Sequence, residues 1–123
     1  MIVRVDPASA VPVFEQLRVQ IERLILSGEL PPGSHLPTIR HLAADLALAR
    51  GTVARVYDVL AREGWVRSAG RRGTVVQGPP EPPSAATSSD LAAAADALAV
   101  TARQHGLDDE AAQEALRAAL ARW

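Results

Sequence analysis

Cysteine and lysine are both missing from this 123-residue sequence, and aromatic residues make up only 3% of it. Without cysteine, the chain has no disulfide framework, no thiolate nucleophile and no cysteine-based zinc site. Without lysine, it cannot form a Schiff base with pyridoxal phosphate and it has no phosphate-loop lysine. No apolar run approaches the length of a membrane span and no signal-peptide pattern opens the chain, so we expect a cytoplasmic protein without a membrane partner.

The basic residues are all arginine, and they are unevenly distributed. Residues 1–80 contain ten arginines and seven acidic residues, whereas residues 81–123 contain three arginines and seven acidic residues. Arginine forms paired hydrogen bonds with phosphate and guanine, although codon bias in a GC-rich genome also explains its use in place of lysine. The front part of the chain is therefore the candidate for contact with nucleic acid. The three histidines are too scattered to suggest a metal site, and we predict no metal and no cofactor.

Helical periodicity and helix-ending residues organise the first half of the chain. An amphipathic stripe follows Pro12 and ends at Gly28, and Thr38 is placed to cap a short second helix. A turn at residues 47–50 leads into a third helix, which Gly64 terminates. We predict three helices, at residues 12–28, 38–46 and 51–62.

Short β-rich segments flank these helices. Residues 2–5 alternate as a possible edge strand, and residues 65–68 and 74–77 read as two strands joined by a Gly-Arg-Arg-Gly tip at residues 70–73. Trp65 is expected to anchor this hairpin in the core. The prolines of residues 78–87 predict a stiff extended linker.

Two further helices are predicted after the linker, one capped by Ser88 or Ser89 and ending at Gln104, and one capped by Asp108 and ending at Arg122. Each carries a single apolar stripe that it cannot bury alone, so the tail needs either the first domain or a second copy of itself. The stripe residues to which we assign dimerisation are Leu91, Leu98, Ala102, Leu116, Leu120 and Trp123.

These elements predict a mainly α fold with a small β-wing. The predicted domains are a winged helix-turn-helix at residues 1–77, the linker at residues 78–87, and a two-helix dimerisation tail at residues 88–123. A helix-turn-helix presents the N-terminus of its second helix to a DNA major groove, and the wing lies beside it.

Five short motifs in order and spacing resemble the GntR family of bacterial transcription regulators. The family pattern of the first helix is matched by Pro12-Val13-Phe14-Glu15-Gln16, and the turn after it by residues 25–33. The second helix matches with Leu36-Pro37-Thr38-Ile39-Arg40-His41-Leu42-Ala43, the third with Arg50-Gly51-Thr52-Val53, and the wing entrance with Glu63-Gly64. Two positions depart: Ala47 stands where the family has glycine, and Ala49 where it has serine or threonine.

The short helical tail is similar to that of the YtrA-like branch of this family. The resemblance implies a tail that serves for dimerisation, and a repressor of operons that encode ABC-type transporters. A small-molecule effector is left open, because the tail alone is too small to enclose an ordinary ligand pocket.

Candidate DNA-binding residues come from three places in the chain. Arg50 and Thr52 open the third helix, where backbone amides also favour phosphate, and Arg55 points away from the predicted core face of Val53, Val56 and Leu60. The resemblance places Arg40 against DNA. Arg71 and Arg72 lie on the wing tip, where Gly73 permits close backbone approach, and Arg62 and Arg67 read as surface residues. Tyr57 reads as a packing residue with an exposed hydroxyl. The full candidate set is Thr38, Arg40, Arg50, Gly51, Thr52, Arg55, Tyr57, Arg71, Arg72 and Gly73.

The function predicted from these residues is a homodimeric transcriptional regulator, a repressor, that binds an inverted-repeat operator in double-stranded DNA. The alternative is a winged-helix module that binds protein or RNA without reading DNA sequence. An enzyme fragment is disfavoured by the missing lysine and the self-contained tail.

Overall fold

The computed structural model describes residues 1–80 and 85–123. One compact unit spans Met1–Pro80, and a second holds the last two helices. The described residues form five helices and a two-stranded antiparallel sheet, which confirms the predicted fold class of a winged helix followed by a helical pair. The elements are α1 (Val13–Leu26), α2 (Ile39–Leu46), α3 (Arg50–Arg62), β1 (Val66–Ser68), β2 (Thr74–Val76), α4 (Ala85–Gln104) and α5 (Asp109–Arg122).

The core of the first unit forms where the apolar stripes of α1 and α3 meet. Side chains three and four residues apart on each helix lie on one face, so each stripe is buried as a continuous row. Trp65 packs into the same cluster and is 9% exposed, as the sequence predicted. The fully buried aliphatic residues of the two helices are Leu17, Ile21, Val53, Val56 and Leu60.

The N-terminal segment is extended but forms no strand, so the predicted edge strand at residues 2–5 is wrong. Its backbone is held instead by two glutamines one helical turn apart on α1. Gln16 is 1% exposed; its side chain accepts a bond from the Asp6 amide at 2.7 Å and donates to the carbonyls of Asp6 and Val11. The Gln20 side chain similarly accepts from the Arg4 amide. Because glutamine carries both donors and an acceptor, it replaces a partner strand.

The turn of the helix-turn-helix depends on one left-handed residue. Ala47 has φ 54° and ψ 43°, the only positive φ of a non-glycine residue in the described part of the chain. The Leu48 amide then donates to the Ala43 carbonyl at 2.9 Å, which closes the end of α2. A Cβ atom in this conformation costs about 1–2 kcal/mol, which explains why glycine suits the position.

The wing is the hairpin of β1 and β2, which pair in the register Val66↔Val76 and Ser68↔Thr74. Its tip, residues 70–72, forms a single 3₁₀ turn. Gly70 and Gly73 adopt positive φ of 59° and 82°, a region that glycine enters without steric cost.

In the second unit, α5 begins as predicted, because the Asp108 carboxylate accepts a hydrogen bond from the Ala111 amide at 2.9 Å. In contrast, α4 begins at Ala85, before the predicted caps Ser88 and Ser89. The last three residues assigned to the linker, Ala85 to Thr87, are therefore helical, consistent with the high helix propensity of alanine. Residues 81–84 of the predicted linker lie outside the described residues.

Ala47→Gly is expected to stabilise the first unit by about 1 kcal/mol, because glycine adopts the left-handed conformation without the steric cost of a Cβ atom. The matched control is Ala44→Gly, within the exposed face of α2, which should destabilise it by about 1 kcal/mol. Urea unfolding followed by circular dichroism measures both. Destabilisation by Ala47→Gly would contradict the assigned turn conformation.

Candidate nucleic-acid interface

The rotational setting of α3 follows from its buried face. Val53, Val56 and Leu60 are 0% exposed, as the sequence predicted. With these residues inside, Arg50 and Gly51 are exposed at the helix start and Thr52 is half-buried. The core therefore fixes the end of α3 that faces solvent.

The N-terminus of α3 has no side-chain cap. Ala49 occupies the N-cap position, and its methyl group cannot accept a hydrogen bond from the first-turn amides. The Thr52 amide donates to the Ala49 carbonyl at 3.1 Å. The amides of Arg50 and Gly51 make no such backbone bond within the described residues, so they remain available to an external acceptor such as phosphate.

The start of α2 carries two more of the predicted residues, Thr38 and Arg40, both exposed. The Thr38 side-chain oxygen accepts a hydrogen bond from the His41 amide at 3.1 Å and so caps the helix. Its hydroxyl proton is still available as a donor. The cap residue of α2 can thus stabilise the helix and donate to an anion at the same time.

Tyr57 differs from the expectation of an exposed hydroxyl. It is 5% exposed, and its hydroxyl donates to the Pro37 carbonyl at 2.7 Å. Burial raises the pKa of this phenol above its ordinary value of 10.0. The hydrogen bond ties α3 to the residue just before the cap of α2, so Tyr57 positions the two helices rather than reaching outward. The sequence lacked any signal for this link, which joins residues 20 positions apart.

Arg55 is exposed as predicted, but it does not extend freely from α3. Its guanidinium carbon lies 4.4 Å from the centroid of the Phe14 ring on α1, a cation–π contact. Arg18, which donates to both carboxylate oxygens of Glu15, lowers the pKa of that carboxyl, and Arg55 contributes to the same shift. Arg55 is therefore held over α1 in the free protein.

The wing tip presents Arg71 and Arg72, both exposed, on its 3₁₀ turn. The Ala69 amide donates to the Gly73 carbonyl at 2.7 Å and closes the base of the tip. A Cβ atom built on Gly73 would meet nothing within 4 Å, so the tip backbone is open to close approach by another molecule.

Ion pairing distinguishes the candidate arginines from Arg18 and Arg62, although Arg4, Arg23, Arg67 and Arg122 also form no ion pair within the described residues. On the described residues, Arg18 pairs with Glu15 and Glu22 at 2.7 Å and with Glu63 at 3.7 Å, and Arg62 pairs with Asp58. Over the same part of the chain, the five arginines in the candidate set form no ion pair with an acidic side chain: Arg40, Arg50, Arg55, Arg71 and Arg72. Their uncompensated charge is the kind that attracts a polyanion.

In the second unit, five of the six residues predicted for dimerisation are exposed or half-buried. Leu91, Leu116 and Leu120 are 73%, 47% and 65% exposed. Leu98 and Trp123 are half-buried. Ala102, in contrast, is already 4% exposed in the single chain and lines a crevice of about 210 Å³ together with Ala112 of α5. Ala102 therefore serves the packing of the tail itself.

Two classes of site are not seen in the part of the chain that the structure describes. No helix there combines the length and apolar character needed to cross a bilayer. No three histidine or acidic side chains there gather in a way that could hold a metal ion.

Comparison with known proteins agrees with this geometry. Residues 14–76 match the family of bacterial regulatory proteins named for GntR. An HTH-type transcriptional regulator of Mycobacterium tuberculosis is 40% identical over 100 residues, which cover 80% of this chain and 83% of that protein. The HTH-type transcriptional repressor YtrA of Bacillus subtilis is 36% identical over 60% of this chain and 57% of its own length.

Solved structures give the same result. YtrA from Sulfolobus acidocaldarius is 38% identical over 64% of this chain and 83% of that chain, with a TM-score of 0.58. The DNA-binding domain of AraR, in complex with its operator, is 25% identical over 60% of this chain and 92% of that chain, with a TM-score of 0.54. A transcriptional antiterminator from Listeria monocytogenes, 18% identical, shares the fold over 95% of this chain and 88% of its own, with a TM-score of 0.77.

The family and these relatives are transcription regulators rather than enzymes. The helix-turn-helix, the wing and the matched residues all lie in the first unit, together with the five candidate arginines. The chain therefore belongs to the GntR family, as a transcriptional regulator with a winged-helix DNA-binding domain.

Proposed function

We propose that this protein is a homodimeric repressor that binds an inverted-repeat operator. The single observation that carries the proposal is the set of exposed arginines without acidic partners at the start of α2, at the start of α3 and on the wing tip. Arg50 and the open amides of α3 bind one DNA strand, and Arg40 and Thr38 add contacts beside them. The name of the relative YtrA, a repressor, supports the direction of regulation.

Arg55, Gly51 and Thr52 complete the major-groove contact in this proposal. Gly51 and Thr52 lie on the first turn of α3. Arg55 leaves Phe14 to reach the groove, a change that is feasible because an exposed cation–π contact contributes only about 0.5–1 kcal/mol. Arg71 and Arg72 reach the adjacent minor groove or its phosphates, with Gly73 allowing the approach. Tyr57 acts indirectly, by holding α3 against the start of α2.

In this proposal, the tail forms the contact between the two protomers of the dimer. Leu91, Leu116 and Leu120 are large apolar side chains that the single tail leaves exposed, and exposed apolar surface of this kind suits an interface with a second copy. Two such pairs related by a two-fold axis form a four-helix arrangement that buries these leucines. The same axis sets two winged domains on the two halves of an inverted repeat. Leu98 and Trp123 lie at the edge of this contact.

The assignment of the regulated genes rests on the YtrA-like resemblance alone, which points to an operon for an ABC-type transporter. Neighbouring genes for an ATPase and a permease would support that assignment. A module that binds protein or RNA is the competing function, and it would show no preference for any duplex sequence.

Arg50→Ala is expected to weaken operator binding by about 1–3 kcal/mol, or about 5- to 150-fold, because it removes a charged contact at the helix N-terminus. The operator is first obtained by selecting bound duplexes from a random pool, and affinity is then measured by gel shift. Arg62→Ala, on the same helix but paired with Asp58, is the matched control and should bind as the unmodified protein does. Equal affinity of the Arg50 and Arg62 variants would reject the assignment.

Leu116→Asp and Leu120→Asp are each expected to convert the dimer into monomers with weak operator affinity, because each places a charge inside the proposed apolar seam. Both residues are exposed in the single chain, so the helices should still form. Light scattering measures the mass. The matched control is Leu26→Asp, a similarly exposed leucine at the end of α1, which should remain dimeric. Intact dimers for both tail variants would contradict the proposal.

A further inference from the structure

The wing sheet is wider than its two strands. Residues 33–36, between α1 and α2, run antiparallel along the free edge of β2. The Gly33 amide donates to the Val76 carbonyl at 2.8 Å, the Val76 amide to the Ser34 carbonyl at 2.8 Å, and the Leu36 amide to the Thr74 carbonyl at 2.9 Å. This added segment covers the edge of the wing.

The register of these three segments places two basic side chains on one face. His35 lies opposite Val75, and Val75 lies opposite Arg67. Residues directly opposite one another in antiparallel strands project to the same face, and His35 and Val75 form the closer, non-hydrogen-bonded type of pair. His35 and Arg67 therefore flank Val75 in a single row across the sheet. Val75 is only 6% exposed but is not part of the core cluster, which fits a residue shielded by its longer neighbours.

A cleft of about 400 Å³ lies on this face. The residues that line it are Gly33, His35, Arg67, Ala69, Arg72 and Val75, and of these Arg67, Arg72 and His35 are exposed basic residues. Arg72 comes from the wing tip, whereas its neighbour Arg71 is not among the lining residues. Two guanidinium groups and an imidazole thus surround one shallow, open cavity.

None of the six residues that line this cleft is acidic. Neither residues 30–44 nor residues 64–80, which contribute all of its lining, contain an aspartate or a glutamate. Glu63 directly precedes residues 64–80, but its carboxylate pairs with the Arg18 guanidinium on α1, with Oε2 3.7 Å from Nη1. Within the described residues, Arg67 and Arg72 form no ion pair. Arginines gathered without a carboxylate are suited to binding phosphate oxygens through charge-assisted hydrogen bonds.

We propose that this cleft binds one phosphate of the operator backbone, held jointly by Arg67 and Arg72 with His35 as a third donor. The proposal rests on the proposed DNA-binding function and extends it to Arg67 and His35. Because the cleft is open along the wing, it accepts a phosphate that is part of a continuous strand. The two tip arginines divide their roles: Arg72 grips the backbone and Arg71 is left to reach the groove.

The test is the salt dependence of operator binding, measured by fluorescence anisotropy for Arg67→Gln, Arg72→Gln and the double variant. Each phosphate contact contributes about 0.9 to the slope of log affinity against log salt concentration. Because both arginines of one cleft hold the same phosphate and the proposed dimer carries two such clefts, the double variant should lose about 1.8 in slope, about 0.9 for each protomer. Arg62→Gln controls for a loss of charge elsewhere and should keep the full slope, and the order of preference among operator sequences should be unchanged in all variants.

Several outcomes would overturn the proposal. A double variant with the slope of the Arg62 control would show that the cleft does not contact the backbone, and a loss of about 3.6 in the dimer would assign the two arginines of each cleft to separate phosphates. A saturable shift of the His35 ring signals in NMR on adding inorganic phosphate, with no change in slope, would assign the cleft to a free phosphoryl ligand. If Arg50→Ala also leaves operator affinity unchanged, the DNA-binding proposal itself fails. If Arg50→Ala weakens binding as expected while the cleft double variant keeps the full slope, only the cleft assignment fails.

Discussion

The packing of α3 against α1 is the contact on which the arrangement of the DNA-binding residues depends. Val53, Val56 and Leu60 are completely buried, and they fix the helix in one rotational setting. Since successive side chains are separated by about 100°, this setting leaves Arg50 and Gly51 at the open end of the helix and Arg55 on its outer surface. The position of these candidate DNA-binding residues thus follows from the buried apolar face of α3.

Hydrogen bonds and ion pairs add further links between α3 and the other two helices of the first unit. The Tyr57 hydroxyl donates to the Pro37 carbonyl, and so it links α3 to the cap of α2. Arg18 forms ion pairs with Glu15, Glu22 and Glu63, and the pair with Glu63 joins α1 to the end of α3. Burial raises the pKa of the Glu22 carboxyl despite the neighbouring guanidinium. These acids lie on α1 and at the C-terminal end of α3, away from the first turn of α3. An acidic side chain at that first turn would repel phosphate.

The elements were predictable from sequence because their signals are local. Thr38 and Asp108 cap the helices that their positions indicated, and the wing glycines adopt the expected positive φ. Contacts between distant residues were not predictable in this way. The extended residues near Val3 resemble a strand, yet glutamines on α1 satisfy their backbone. His35 joins the wing although nothing in its surrounding sequence resembles a strand.

The candidate site was predicted unevenly for the same reason. Position in the helix-turn-helix identified Arg40 and Arg50, whose exposure needs only the helix pattern. Tyr57 was expected to pack with its hydroxyl exposed, because the periodicity cannot show that a carbonyl 20 residues away accepts the hydroxyl proton. Arg67 read as an ordinary surface residue, since its partners in the cleft, His35 and Arg72, come from two other segments.

We propose above all that the arginines of the helix-turn-helix and the wing lie against one DNA duplex. The most direct measurement is an NMR titration of the arginine side-chain Nε–Hε signals with a duplex selected for binding. The account predicts saturable shifts at Arg40, Arg50 and Arg72, and unchanged signals at Arg18 and Arg103, whose guanidinium groups pair with carboxylates. Shifts at Arg18 and Arg103 with unchanged signals at Arg40 and Arg50 would contradict it.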